Sequence, residues 1–157
     1  MKALLKRGFN GLDSLFSRTF TPSWNPMYQL GALSFFYFWI VAVTGVYLFF
    51  FFETSISGAY ASVERITVAQ WYLGGILRSF HRYASAAMGI TVTLHLLREY
   101  ARDRYSGVRW FSWVSGIPLL WLLFASAIGG YWLVWDIQSQ FIAIATAEWF
   151  DWLPIMV

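Results

Sequence analysis

The chain has two histidines, His81 and His95, and they stand 14 residues apart. On a helix rising about 1.5 Å per residue, that spacing separates them by about 21 Å. Fourteen steps of about 100° return to within roughly 40° of the starting direction. One helix face would therefore present an imidazole near each edge of a bilayer. Neutral imidazole is an axial ligand for haem iron, and two so placed would serve two haems stacked across a membrane. Hydrogen bonding to neighbouring helices is the other use of such a pair. Arginines flank both histidines: Arg78 precedes His81 by three residues, and Arg98 follows His95 by three. Haem carries two propionates, and guanidinium groups pair with carboxylates through parallel hydrogen bonds. Arg82 lies beside the first of these sites. Arg98, at a helix end, could equally snorkel to the interface and mark topology.

Glycines repeat the same interval. Gly31 and Gly45 are 14 residues apart, as are Gly116 and Gly130. A residue without a side chain lets a backbone approach a flat ligand closely. Small residues also favour ordinary helix packing in membranes. Gly75 and Gly89 share the interval too, and no haem role is assigned to them.

These residues need long apolar helices to position them. The chain of 157 residues is 59% hydrophobic, 22% aromatic and only 12% charged, against a soluble-domain share of roughly 25%. A soluble core of this size could not hide so much apolar surface. A net charge of only +3 in so apolar a chain excludes a disordered or nucleic-acid-binding tail. The absence of cysteine excludes disulfides, iron–sulfur clusters and thioether-attached haem.

Three stretches are predicted to span the membrane: about Leu30 to Phe52, Trp71 to Leu97, and Val114 to Trp135. Residues 1–24 read as an amphipathic segment on the cytoplasmic face, 25–135 as the haem-binding domain, and 136–157 as an interfacial segment on the outer face. Eight basic residues (Lys2, Lys6, Arg7, Arg18, Arg98, Arg102, Arg104 and Arg109) fall on one side, against Arg65 on the other. The positive-inside rule then predicts a cytoplasmic N-terminus. The expected fold is an all-α membrane protein with three transmembrane helices, an N-terminal surface helix and a C-terminal interfacial helix.

The stretch RSFHRYASAAMGITVTLHLLREY, Arg78 to Tyr100, resembles the haem-binding second helix of the cytochrome b family. NPMYQLGALSFFYFWIVAVTGVYLF, Asn25 to Phe49, resembles the first helix, with Gly31 and Gly45 at the glycine positions. RWFSWVSGIPLLW, Arg109 to Trp121, resembles the start of the third, and GYWLVWD, Gly130 to Asp136, is similar to the segment G-Y-x-L-P-W at its outer end. Val134 replaces that segment's proline. The resemblance runs from about Asn25 to Pro154.

The resemblance implies a dihaem subunit carrying electrons across a membrane, between quinol or quinone and partner redox subunits. It implies two non-covalent b-type haems, one on His81 and one on His95. Arg78 and Arg82 would steady the outer propionates, and Arg98 and Arg109 the inner ones. Tyr131, Trp135 and Asp136 become candidates for a quinone pocket; an aromatic belt at the membrane interface explains them as well. Family members bind each haem between the second helix and a fourth, and no third histidine is present here. Each haem would need its second axial ligand from a continuation or from another chain, completing a four-helix bundle. The ending Leu153 to Val157 is expected to continue. Membrane lipid and other redox subunits are the expected partners, and a bacterial inner membrane the expected location. Two rivals are a dihaem anchor joining a dehydrogenase or hydrogenase to the quinone pool, and a haem-free structural anchor.

Overall fold

A computed structural model describes residues 1–152. The last five residues of the 136–157 segment, with the continuation expected after them, lie outside the described residues. The described residues form helices and no strand: α1 (Lys2–Thr19), α2 (Leu30–Phe51), α3 (Ala59–Val68), α4 (Ile76–Ala101), α5 (Trp110–Trp132) and α6 (Ile137–Asp151).

Burial is inverted relative to a water-soluble domain. Among the described residues, seven hydrophobic residues are buried, while Phe36, Phe49, Phe50, Trp121 and Leu122 stand exposed. Such a surface needs an apolar solvent. The stretches Pro22–Phe51 and Gly107–Trp132, with mean hydropathies of 2.0 and 1.7, contain two helices long and apolar enough to cross a bilayer. The expected third span, α4, has the length at 26 residues. The histidines and arginines that give it chemistry also keep it below that apolarity.

The chief contact is α2 along α4, with α5 against α4 elsewhere. Ser34 of α2 donates to Thr91 of α4 across 3.0 Å. The hydroxyl of Ser34 also lies 2.8 Å from the Leu30 carbonyl. A polar pair between apolar helices is thereby satisfied.

The N-terminal helix is amphipathic, but its inward stripe meets protein. Phe9, with Leu5 and Phe16, packs against Met27, Leu30, Leu94 and Ala101. Pro22 follows shortly after α1 ends. The amide of fully buried Asn25 then joins two elements. Its Nδ2 donates to the Asp13 carbonyl at 3.0 Å and to Ser17 at 2.8 Å. Its Oδ1 accepts from the Met27 N–H at 2.9 Å.

Between α2 and α4 the sequence suggested only a connection, yet α3 forms there, followed by a π-helical turn at Trp71–Gly75. Gly74 is required at this crossing. A Cβ there would stand 2.6 Å from the Ile66 carbonyl oxygen.

At the far end of α5, Trp135 adopts φ 53°, a region bulky side chains rarely enter. The turn is held by its neighbours. Gln140 Nε2 donates to the Trp135 carbonyl at 3.0 Å, and buried Ser139 donates from Oγ to the Tyr131 carbonyl at 3.1 Å. Asp136 caps α6 by accepting from the Ser139 N–H at 2.7 Å. That N–H, and then the Ser139 hydroxyl, hold the Asp136 carboxyl below the usual carboxylate range. A depressed folded-state pKa means that the stabilisation is present at neutral pH and is lost as the folded carboxylate protonates. α6 should therefore lose protection from amide hydrogen exchange below about pH 4. In Asp136→Asn, that acid-induced loss should be absent.

Candidate functional site

α4 carries both histidines, and the register of α2 brings a glycine to each. A Cβ placed on Gly31 would stand 3.2 Å from His95 Cε1 and 3.5 Å from its Nε2. One placed on Gly45 would stand 3.1 Å from His81 Cε1. Equal intervals on two packed helices thus produce two levels, each with an imidazole beside a bare backbone. The third-helix glycines differ. Gly116 lines a cavity with His95, while nothing lies within 4 Å of a Cβ placed on Gly130.

The His81 ring is oriented by α2. Its Nδ1 lies 3.1 Å from the Val41 carbonyl oxygen and 3.1 Å from Thr44 Oγ1. Thr44 in turn donates to the Ile40 carbonyl at 2.6 Å. A carbonyl has no proton to give, so Nδ1 must carry one. Nε2 is then left with its lone pair, the form in which imidazole binds a metal. This donor set fits an iron-ligating histidine.

His95 opens onto a cavity of about 360 Å³, also lined by Glu99, Arg104, Arg109, Trp113 and Gly116. Arg109 thus lines the same cavity as His95. Arg98 is directed elsewhere. It is buried, lies 3.4 Å from Asp13 of α1, and sits 5.1 Å from the centroid of the Tyr28 ring. Arg102 shares the same Asp13 carboxylate. At the His81 end, Arg78 donates to Thr67 Oγ1 at 3.1 Å, and Arg82 is exposed. Tyr131, Trp135 and Asp136 are used in the α5–α6 turn: Tyr131 and Trp135 through their carbonyls, Asp136 through its carboxylate.

Sequence reasoning missed Asp13, Val41, Thr44, Glu99 and Arg104. Asp13 carries a signal, being the one acidic residue among the first twenty. Glu99 carries another, standing four residues past His95 on the same helix face. Val41 acts through its carbonyl, which no side-chain pattern reveals.

The close approach at Gly45 makes a sharp prediction. Gly45→Val places two methyl groups where the His81 ring now lies, so the ring must leave its hydrogen bonds. The absorbance spectrum of a haem at His81 should broaden or disappear, with one at His95 retained.

Paired imidazoles on one helix, each facing a glycine, inside an all-helical frame whose apolar side chains face outward, define a haem-protein scaffold of membrane type. The family described as Cytochrome b/b6/petB matches residues 15–156. The chain belongs to that cytochrome b family. It is 34% identical to cytochrome b6 of Heliobacterium modesticaldum over 132 residues, covering 84% of this chain and 62% of that protein. It is 32% identical to cytochrome b6 of Heliomicrobium gestii, with the same coverage. Against cytochrome b6 of Mastigocladus laminosus it is 31% identical over 124 residues, covering 79% of this chain and 57% of that protein. The chain thus spans about three-fifths of the length of the curated relatives it matches.

Proposed function

We propose that the chain is the dihaem part of a cytochrome b electron-transfer subunit in a bc-type membrane complex, exchanging electrons with quinol or quinone and with partner redox subunits. One observation carries this reading: His81 and His95 each face a glycine of α2 at the same 14-residue interval. Haem, when bound, supplies one-electron chemistry at its iron. The chain's residues do the placing. His81 and His95 would each hold a haem iron through one imidazole, with further ligation supplied from outside the described residues. Val41 and Thr44 hold the His81 ring in its metal-binding tautomer. Gly31 and Gly45 leave room for a flat ring, and the apolar faces of α2 and α5 exclude water. Arg78 and Arg82 serve the anionic edge at the His81 end, and Arg109 that at the His95 end.

In this reading α2, α4 and α5 span a bacterial inner membrane, α1 lies at the cytoplasmic face, and α6 lies at the opposite interface. The test is a dithionite-reduced minus oxidised spectrum of the purified protein, with haem counted per chain. Two b-type haems per chain are expected. Absence of any haem band refutes the reading.

A further inference from the structure

Past the end of α4 the chain builds a cage of aromatic rings and fills it with its own second residue. α4 stops at Ala101, and Asp103 takes a left-handed φ of 60°. The Asp103 N–H bonds the Tyr100 carbonyl at 3.2 Å, and the Arg104 N–H bonds the Glu99 carbonyl at 3.0 Å. This reversal lays Tyr105 back against Tyr100, with the rings stacked and their centroids 5.5 Å apart. Trp113 of α5 joins them, 6.2 Å from Tyr100 and 5.7 Å from Tyr105. Asp103 adds a carboxylate to the same turn.

Lys2 meets this cage because seven residues, about two helical turns, separate it from Phe9 on the inward stripe of α1. Its Nζ lies 5.6 Å from the centroid of the Tyr100 ring and 4.9 Å from that of Tyr105. It donates to the Tyr105 hydroxyl at 3.1 Å and pairs with Asp103. These bonds, that to Asp103 first, raise the pKa of the lysine above its ordinary value. Two rings, a carboxylate and a hydroxyl are a set that recognises a primary ammonium. The rings attract its charge, and the two oxygens accept its protons. A trimethylammonium group could satisfy the rings alone.

Lys2 holds the cage loosely. Its side chain is 34% exposed and that of Asp103 is 60% exposed. An ion pair so open to solvent is weak. Met1 caps α1 without a side-chain hydrogen bond, and the first residues of a chain fray readily. The cage also lies between the end of α4 and the start of α5 at Trp110. For two spanning helices, that is the level of the lipid headgroups.

We propose that Tyr100, Tyr105 and Asp103 form a site for the ammonium of an ethanolamine phospholipid, and that Lys2 is its internal, exchangeable occupant. Lipid entering the cage displaces Lys2 and frees the first turn of α1, while Asp13 keeps the middle of that helix in place. The lipid source rests on the reading of α4 and α5 as membrane spans. The preference for an ammonium rests on the cage alone.

The test is native mass spectrometry of the whole purified protein titrated with dihexanoyl phosphatidylethanolamine, and with the phosphatidylcholine and phosphatidylglycerol of the same chain length. Lys2→Met empties the cage and should tighten binding of the ethanolamine lipid by about tenfold. Adding Asp103→Asn or Tyr105→Leu to Lys2→Met should abolish that gain. Asparagine tolerates the left-handed φ, so the turn survives the first of these. The choline and glycerol lipids should bind every variant alike. In wild type, amide hydrogens of residues 2–6 should exchange faster in ethanolamine-lipid bilayers than in phosphatidylglycerol bilayers. Unchanged exchange along α4 shows that each variant is folded. Equal affinity of wild type and Lys2→Met for the ethanolamine lipid overturns the assignment, as does a gain that survives both second substitutions. Free ethanolamine binding as tightly as the lipid overturns the lipid source. A chain that alkaline carbonate washes from membranes refutes the spanning reading, and the lipid source with it.

Discussion

Replacing His95 with alanine is expected to remove one of two haem signals and halve the haem bound per chain. In the proposed reading, the iron at that level would lose the imidazole that holds it, and the other groups lining the cavity would not replace it. Leu96 and Trp113 are apolar or donor-only at the site, and Glu99 is held by Arg104. His81 sits about 21 Å away along α4, so its level should survive. The truncation also opens a void against Gly31, where neither residue can then fill the space. Added imidazole should enter that void and restore part of the missing band, which a misfolded variant would not permit. Equal loss of both signals, or retention of both, would contradict the two-level arrangement.

The second large effect is expected at a residue far in sequence from either histidine. Asp13→Ala removes the carboxylate shared by Arg98 and Arg102. The side chains of Asp13 and Arg98 are 9% and 4% exposed, so the arginine is left buried and unpaired. Breaking a buried pair from one side costs on the order of 3 kcal/mol, because the remaining charge keeps its desolvation penalty. The Tyr28 ring offsets only part of this. α1 should release from α4 and fray, so that trypsin cuts at the already exposed Lys6, Arg7 and Arg18, and the melting temperature in detergent should fall. Its other clasp, Lys2 on Asp103 beside Tyr105, is exposed and too weak to hold it alone. The double variant Asp13→Ala with Arg98→Met should recover most of the loss, since no unpaired charge is then buried. Failure of that recovery would mean that α1 is held mainly by Phe9 and its apolar neighbours.

These two expectations come from different levels of information. His81 and His95 were legible because helical periodicity is a local property: residue interval alone fixes face and height. The same holds for the uncharged α2 and α5 and for the glycine pair on α2. α3 was not legible, since its ten residues have neither the length nor the apolarity of a span. Its place depends on Gly74 passing the Ile66 carbonyl.

Charge pairing was the least legible feature. Arg98 and Arg104 are both basic residues near the end of one helix, and their spacing from His95 favours Arg98. In the structure a carboxylate 85 residues earlier in the chain holds Arg98, and Arg104 lines the cavity beside His95. Sequence alone therefore determined the apolar frame, the two imidazole levels and the glycines of α2 that face them, because each follows from periodicity within one element. Tertiary structure decided which arginines meet Asp13, which ones line the cavity beside His95, and which nitrogen of His81 is free. Those outcomes depend on groups brought together from separate helices, where burial makes each unpaired charge or donor costly.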